Sequence, residues 1–287
     1  MTKRKLGNTG YEIAPVVYGG IVSMSDGQEA SDQYVEYAIN KGINYFDVAP
    51  SYGDAQEKLG NSLKPYRKDI YLACKTNKRL AAEGERELDE SLRLLHTDYF
   101  DNYQMHGLAT MEELEAAFGK GGVMEIMIRA KEKGITRKLG ITCHDEDVAL
   151  KAISLYDFDT VLFPLNWGIN MGKEFGSRIS RAAKERNIGL LGMKTLIHRA
   201  WINDDEKHQS RFPKSWCKPI SENEELGIAA IKYTLSMGAD AVVPPGNFES
   251  FSFVTEHIEE CLANPLNDKD MALLEKELKK IDGHYFF

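Results

Sequence analysis

Three short apolar segments each end in a residue that can hold or move a proton. Asp47 closes Ile43-Asn44-Tyr45-Phe46, Lys75 closes Ile70-Tyr71-Leu72-Ala73-Cys74, and His106 closes Asn102-Tyr103-Gln104-Met105. Tyr52 follows Asp47 within Asp-Val-Ala-Pro-Ser-Tyr-Gly. These types suit acid–base work on a carbonyl. A phenol ordinarily titrates at about 10. A neighbouring ammonium favours the phenolate and lowers that value, so that Tyr52 is expected to exchange a proton near neutral pH. A carboxylate beside the lysine keeps the ammonium charged and oriented. A histidine can donate a hydrogen bond to the carbonyl oxygen and stabilise the negative charge that develops there. Taken singly, each has an ordinary reading as a solvated strand end or a packing residue. Their succession at three consecutive strand ends carries the chemical reading.

The elements that must position these groups alternate along the chain. Strands are expected at 15–19, 43–47, 70–75, 101–106, 138–142, 160–165, 188–193 and 240–243, short and nearly continuous in apolar character, as in a parallel sheet covered on both faces. Segments of helical period lie between them. In 221–237, Leu226, Ala229, Ala230, Tyr233 and Met237 share a face, and Ser221 with Glu224 is read as a capping box. Lys41-Gly42, Lys133-Gly134 and Met237-Gly238 each put a glycine where a helix should stop before the next strand. Eight strands alternating with helices predict an α/β chain of the (β/α)₈ TIM-barrel type, with an extra helix near 267–281. A doubly wound open sheet gives the same alternation, and periodicity does not separate the two. In a barrel the C-terminal strand ends share one rim, so that Asp47, Lys75 and His106 converge. No repeat, low-complexity tract or linker marks a boundary, so residues 1–287 are read as one domain. The long polar interruption at 198–219 follows the seventh strand and is expected to be a binding loop or an ordinary surface excursion.

Whole-chain properties narrow the function classes. The 287 residues carry a formal net charge of −8, which argues against a broad nucleic-acid-binding face. Cys74, Cys143, Cys217 and Cys261 are scattered without a Cys-x-x-Cys pair, which disfavours a disulfide framework, a zinc ribbon or an iron–sulfur cluster and fits a reducing compartment. The first residues, Met-Thr-Lys-Arg-Lys-Leu-Gly, are not followed by an apolar signal region, and no apolar run approaches the ~20 residues that span a bilayer. A cytoplasmic protein without a membrane or nucleic-acid partner is expected.

The segments Asp47-Val-Ala-Pro-Ser-Tyr52-Gly, Ala73-Cys74-Lys75-Thr76 and Tyr103-Gln104-Met105-His106-Gly107 resemble the aldo-keto reductase family. The resemblance runs from Gly19-Gly20 to Val243-Pro244-Pro245-Gly246. It implies an eight-stranded barrel, an extended nicotinamide cofactor, NADP(H) or NAD(H), and reversible reduction of a small aldehyde, ketone or sugar carbonyl. It also implies a catalytic tetrad of Asp47, Tyr52, Lys75 and His106, with Tyr52 as the general acid in reduction. Carried over by position, the cofactor contacts are Gly20, Asp47, Thr142, Asn166, Met193, Lys194, Arg199, Pro245, Gly246, Asn247 and Glu256.

The chain departs from the family at several of these places. Cys143 stands where an Asn usually binds the nicotinamide amide. Gly192-Met193-Lys194-Thr195-Leu196 is nearest a bacterial subset with a Met-Lys-Pro-Leu-like seventh strand end, without that subset's iron–sulfur extension. The glycines that follow there are replaced by Ile197-His198-Arg199-Ala200. Backbone N–H groups at the helix start after Val243-Pro244-Pro245-Gly246-Asn247 suit an anion. No Lys or Arg stands between Val242 and His257 to pair with a 2′-phosphate, and Glu256 suits a ribose hydroxyl, which leaves NAD open.

Other features carry less. His144-Asp145 is read as a helix cap at Asp145 rather than a metal pair, and Gly119-Lys120-Gly121-Gly122 as a helix break rather than a phosphate loop. Trp167, Trp201, Trp216 and the terminal Tyr285-Phe286-Phe287 are expected either to wall a substrate pocket or to pack. Three further functions use the same residues: a slow, cofactor-binding regulatory subunit; an epimerase or dehydratase with internal NAD; and an aldolase with a Schiff base at Lys75 or Lys194. Substrate identity and oligomeric state have no sequence signal.

Overall fold

The computed structural model describes residues 1–281 and 283–286. The β-rich runs pair in parallel, in chain order, into one eight-stranded sheet. Its strands are β1 Tyr18–Gly19, β2 Tyr45–Asp47, β3 Tyr71–Thr76, β4 Phe100–Leu108, β5 Thr136–Cys143, β6 Thr160–Pro164, β7 Gly189–Met193 and β8 Ala241–Val243. Val16 bridges Val242 in parallel, and the Val17 N–H donates to the Val242 carbonyl at 3.0 Å. First and last strands therefore meet, and the sheet is a closed barrel. An open doubly wound sheet would leave both as edges.

The helices that cover the barrel are α1 Gln28–Asn40, α2 Ala55–Leu63, α3 Ala81–Leu94, α4 Met111–Phe118, α5 Val123–Glu132, α6 Glu146–Leu155, α7 Trp167–Lys173, α8 Ser177–Arg186, α9 Asp204–Gln209, α10 Glu224–Ser236, α11 Phe248–Ala263 and α12 Asp268–Ile281. Gly42, Gly134 and Gly238 take φ of +84°, +74° and +92°, the left-handed stop that favours glycine. The four-residue Gly119–Gly122 stretch separates α4 from α5. Asp145 caps α6 by accepting from the Val148 N–H at 2.9 Å. The cap of α10 is Asn223, whose Oδ1 accepts from the Leu226 N–H at 3.0 Å, and not Ser221 as the capping-box pattern predicts. An Asn one residue before the first turn reaches the free N–H groups directly, and the helix begins two residues later than expected.

Residues two apart on each strand share a face. The inward set of Tyr45, Ala73, Leu162, Leu191, Ala241 and Val243 packs with Leu6, Ile13 and Val17 in the barrel interior. A larger apolar shell lies between the strands and the helices. Leu6 and Ile13 belong to an N-terminal hairpin, Arg4–Lys5 against Glu12–Ile13, that the sequence pattern does not predict because each arm has only two residues. Asp240, just before β8, fastens this hairpin by accepting from the N–H groups of Gly7 at 3.1 Å and Leu190 at 3.0 Å. Asp240→Ala leaves both donors without their partner and is expected to lower stability by about 1–3 kcal/mol. A shift of the urea midpoint at unchanged slope checks this, and an unaltered midpoint contradicts it.

Candidate active site

Asp47 ends β2, and Lys75 lies one residue short of the end of β3. Asp47 pairs in register with Ala73, so Lys75, two residues on, projects from the same inner face beside it. Lys75 is level with Gln104 on β4, two residues below His106. Lys75 is fully buried and Asp47 nearly so. Lys75 Nζ donates to Asp47 Oδ2 and, at 3.2 Å, to the Val48 carbonyl. The other carboxylate oxygen accepts from Gln104 Nε2 at 2.6 Å. Burial acts to discharge Lys75, but Asp47, Tyr52 and the Asp47 hydrogen bond hold its pKa above the ordinary value. The ammonium therefore stays charged inside the barrel.

Tyr52 sits in the turn between β2 and α2, its N–H donating to the Ala49 carbonyl at 3.1 Å. Lys75 Nζ lies 4.9 Å from the centre of its ring. His106 meets that ring edge-on at 5.7 Å, and Trp216 does so at 6.1 Å. Burial raises the Tyr52 pKa, and the opposing pull of Lys75 does not overcome it. The expectation that the lysine brings the phenol down to neutral pH is thus corrected: desolvation is the larger effect, and it favours the neutral phenol. His106 is pushed down to about 2 by burial first, then by Lys75, His144 and Arg79. His144 is lowered to about 4, by burial and then by Lys194.

These groups open onto one cleft at the C-terminal rim. It is lined by Asp47, Tyr52, His106, Thr142, Met193, Lys194, Pro245 and Gly246 among the sequence-predicted residues. Gly19, Ile21, His144, Leu162, Ile197, Lys214–Cys217, Val243 and Pro244 also line it. Lys75 lies beneath, behind Asp47 and Tyr52. Residues 198–219 form the far wall: Ile197–Arg199 pairs with Lys218–Pro219, and the intervening chain folds back across the barrel mouth. Lys214 fastens it by donating to the Val22 carbonyl at 2.9 Å, the Met24 carbonyl at 3.2 Å and the Asp26 carboxylate.

Several expected contacts are committed elsewhere. Arg199 is held by Glu206 through bonds of 3.0 and 2.6 Å, because both lie on the folded-back segment. Glu256 lies beyond the second turn of α11 and accepts from the Tyr37 hydroxyl at 3.2 Å, away from the cleft lining. Asn166 is fully buried: Oδ1 accepts from the N–H groups of Gly168 and Ile169, and Nδ2 donates to the carbonyls of Lys194 at 3.0 Å and Ile197 at 2.7 Å. It braces Lys194, which has φ of +69°, a conformation costly for a residue with a Cβ. Gly20 sits behind the lining, where a Cβ would come within 2.8 Å of Val48. Cys143 turns its thiol to the Leu108 carbonyl at 2.9 Å. Trp167 is fully buried against α10 and α12, and Trp201 donates to the Ser215 carbonyl at 2.9 Å, so only Trp216 of the three walls the cleft. Phe286 meets Lys194 with its ring 5.2 Å from Nζ; Phe287 lies outside the described residues.

Asn247 caps α11, its Oδ1 accepting from the Ser250 N–H at 2.7 Å. Its Nδ2 is buried without a hydrogen-bond partner among the described residues. An unused donor at a helix start beside the cleft fits a phosphate or ribose oxygen. Gln104 and Trp216 escaped the catalytic reading. The signal for Gln104 was available, a polar residue two before His106 in an otherwise apolar strand. Among the described residues no group of three or more His, Cys, Asp or Glu side chains could hold a metal ion, and no helix is long and apolar enough to cross a membrane.

A family model described as "Aldo/keto reductase family" matches residues 19–276. The uncharacterized oxidoreductase YqkF of Bacillus subtilis is 32% identical over 158 residues, a match that spans only about half of each protein, 50% of this chain and 49% of YqkF. The aldo-keto reductase YhdN of the same organism is 27% identical, with 89% of each chain covered. Among solved structures, the holo form of aldo-keto reductase AKR11C1 from Bacillus halodurans has a TM-score of 0.71 at 20% identity, covering 96% of both chains.

The buried pair generates a stability test. Lys75→Met strands a buried carboxylate and is expected to destabilise the protein by about 3–5 kcal/mol, whereas Lys75→Met combined with Asp47→Leu removes both charges and recovers part of that loss. Urea unfolding of both variants decides it; equal stability of single and double variants contradicts the coupling.

Proposed function

Because the chain belongs to the aldo/keto reductase family, we propose that it is an oxidoreductase using Tyr52 as general acid/base in reversible transfer of a hydride between NAD(P)H and a small aldehyde, ketone or sugar carbonyl. The observation that carries this reading is the packing of Tyr52, as a neutral phenol, over a buried and charged Lys75 at the base of the cleft. A bound nicotinamide dinucleotide supplies the hydride. Lining residues Met193, Leu162, Val243 and Pro245 offer an apolar surface to the nicotinamide, while Asn247 and the start of α11 would receive the adenosine end.

In reduction, Tyr52 gives its proton to the carbonyl oxygen as negative charge develops there. Lys75 stabilises the phenolate left behind, and Asp47, held in turn by Gln104, keeps Lys75 charged and in place. In oxidation the same phenolate takes the proton back. His106 and Trp216 flank the phenol and orient the polar and apolar ends of the substrate. No cation stands between Val242 and His257, which supports NAD(H) as readily as NADP(H). L-galactose dehydrogenase of Arabidopsis thaliana is 29% identical over 193 residues, 59% of each chain, which supports a sugar among the substrates to be tried.

Lys194 favours one other reading. It lines the cleft, and burial lowers its pKa, as a Schiff-base nucleophile requires. Lys75, charged and paired, is unsuited to that role. Borohydride trapping with a panel of ketoses separates the readings: a covalent adduct at Lys194 supports the aldolase, and its absence with turnover of NAD(P)H supports the reductase.

Two measurements test the proposed roles. Tyr52→Phe is expected to cut turnover by a factor on the order of 10²–10⁴ while NADPH or NADH affinity, read by tryptophan fluorescence quenching, stays nearly unchanged. Full activity in that variant refutes Tyr52 as the acid. The pH profile of kcat/KM for reduction is expected to be flat over roughly pH 5–8, where an ordinary histidine would titrate. His106 is already neutral there, and Tyr52 loses its proton only above its ordinary value of 10.0. A drop with a midpoint near 6.5 that vanishes in His106→Asn would contradict this assignment.

A further inference from the structure

The two oxygens of Asp47 meet donors of different kinds. Oδ2 accepts from the Lys75 ammonium, and Oδ1 accepts from Gln104 Nε2 at 2.6 Å. Gln104 is fully buried on β4, in register with Lys75 on β3 and two residues before His106. Its orientation is forced. A carboxylate offers only acceptors, so the amide must turn its NH₂ group toward Asp47; the reverse assignment would press two acceptors together. Oε1 is then buried with no hydrogen-bond partner among the described residues. An unsatisfied acceptor of this kind destabilises a fold, and a leucine or methionine would fill the position without it. What the amide provides and an apolar side chain does not is the bond to Asp47. Asn102, two residues earlier on the same face, differs in this respect. Its Nδ2 donates to the Tyr45 hydroxyl at 3.0 Å and to Thr160 Oγ1 at 2.8 Å, both uncharged groups of the barrel core.

The Gln104 bond reaches Tyr52 through the charges that face the phenol. Lys75 and Cys74 come from β3, Asp47 from β2 and His106 from β4, while His144 and Lys194 line the same cleft. Burial is the largest influence on the phenol and favours its neutral form. Lys75 comes next and favours the phenolate; Asp47 follows and opposes it. Tyr52 therefore feels the difference between an ammonium and a carboxylate. A neutral donor 2.6 Å from the carboxylate offsets part of the negative side and adds no net charge of its own. We propose that Gln104 is a positioning residue that, by holding one oxygen of Asp47, leaves Lys75 the stronger positive partner of the Tyr52 oxygen and eases release of the phenol proton. That proton passes from the Tyr52 oxygen to the carbonyl oxygen in reduction and returns in oxidation, while Gln104 keeps its own hydrogens throughout. The consequence for rate rests on the reductase reading; the consequence for the titration of Tyr52 does not.

The full-length chain with 3,5-difluorotyrosine at position 52 tests this by ¹⁹F NMR. That phenol is more acidic than tyrosine's, which brings its titration into a range where the protein stays folded. Gln104→Met keeps the shape of the side chain and removes the donor. It is expected to raise the midpoint by about one pH unit, a shift of about tenfold in the equilibrium. Gln104→Leu is expected to act in the same way and replaces Gln104→Met if that variant does not fold. Asn102→Leu removes a buried amide from the same strand face and is expected to leave the midpoint in place. An unmoved or lowered midpoint without the Gln104 amide overturns the proposal. So does an equal rise in Asn102→Leu, which would mean a general loosening of the core. Kinetics test the consequence for rate. With 4-nitrobenzaldehyde and NADPH or NADH, kcat is expected to fall about tenfold in Gln104→Met while both KM values stay nearly unchanged. An unchanged kcat, or a loss confined to KM, overturns that half. A wild-type chain that reduces no carbonyl removes the reductase reading, and the ¹⁹F titration still decides the role of Gln104.

Discussion

A charged amine and a carboxylate inside a barrel are unstable alone and stable together, and the cleft is organised around that fact. Removing either ion from water costs several kcal/mol after relaxation. Lys75 and Asp47 meet that cost only because β2 and β3 are neighbours in register and project both groups from one inner face. Gln104 adds a bond to the carboxylate and the Val48 carbonyl one to the ammonium. Satisfied in this way, the pair gives Tyr52 a fixed positive neighbour in a dry setting. There burial keeps the phenol protonated, with the ammonium 4.9 Å from the centre of its ring.

The rest of the molecule encloses that arrangement. At one end of the barrel, the N-terminal hairpin packs Leu6 and Ile13 into the interior and is tied to Asp240. At the other, the segment after β7 folds back over the rim and is fastened through Lys214. Asn166 links the two sides of this turn, capping α7 with its oxygen and holding the left-handed Lys194 and Ile197 with its nitrogen. Burial at the base of the cleft favours the neutral forms of both His106 and Tyr52, with Lys75, His144 and Arg79 adding to the effect at His106.

Legibility followed the range of the interactions. Barrel strands were readable because each is a local apolar run, and Asp47, Lys75 and His106 because a polar residue closing such a run stands out. Gly42, Gly134 and Gly238 were readable because the left-handed stop is a one-residue property. The short N-terminal hairpin has two-residue arms that give almost no pattern, and the Ser221–Glu224 spacing does not reveal that Asn223 is the cap. Of the expected cofactor contacts, Arg199 and Glu256 prove to be bound to Glu206 and Tyr37. Asn166 serves the backbone. Nothing near them in the chain announces those partners.

The sequence by itself determined which elements form, which residues end them and which family they resemble, because strand alternation, helix stops and side-chain chemistry are local. Closure of the barrel was decided only in three dimensions, by the pairing of residues near 16 with residues near 242. So were the protonation of Tyr52, where desolvation outweighs a nearby charge, and the placing of His106 Nδ1 2.7 Å from Asn77 Oδ1 of a different strand end. Electrostatic balance and hydrogen-bond sense belong to an environment assembled from distant segments, and a linear pattern carries neither.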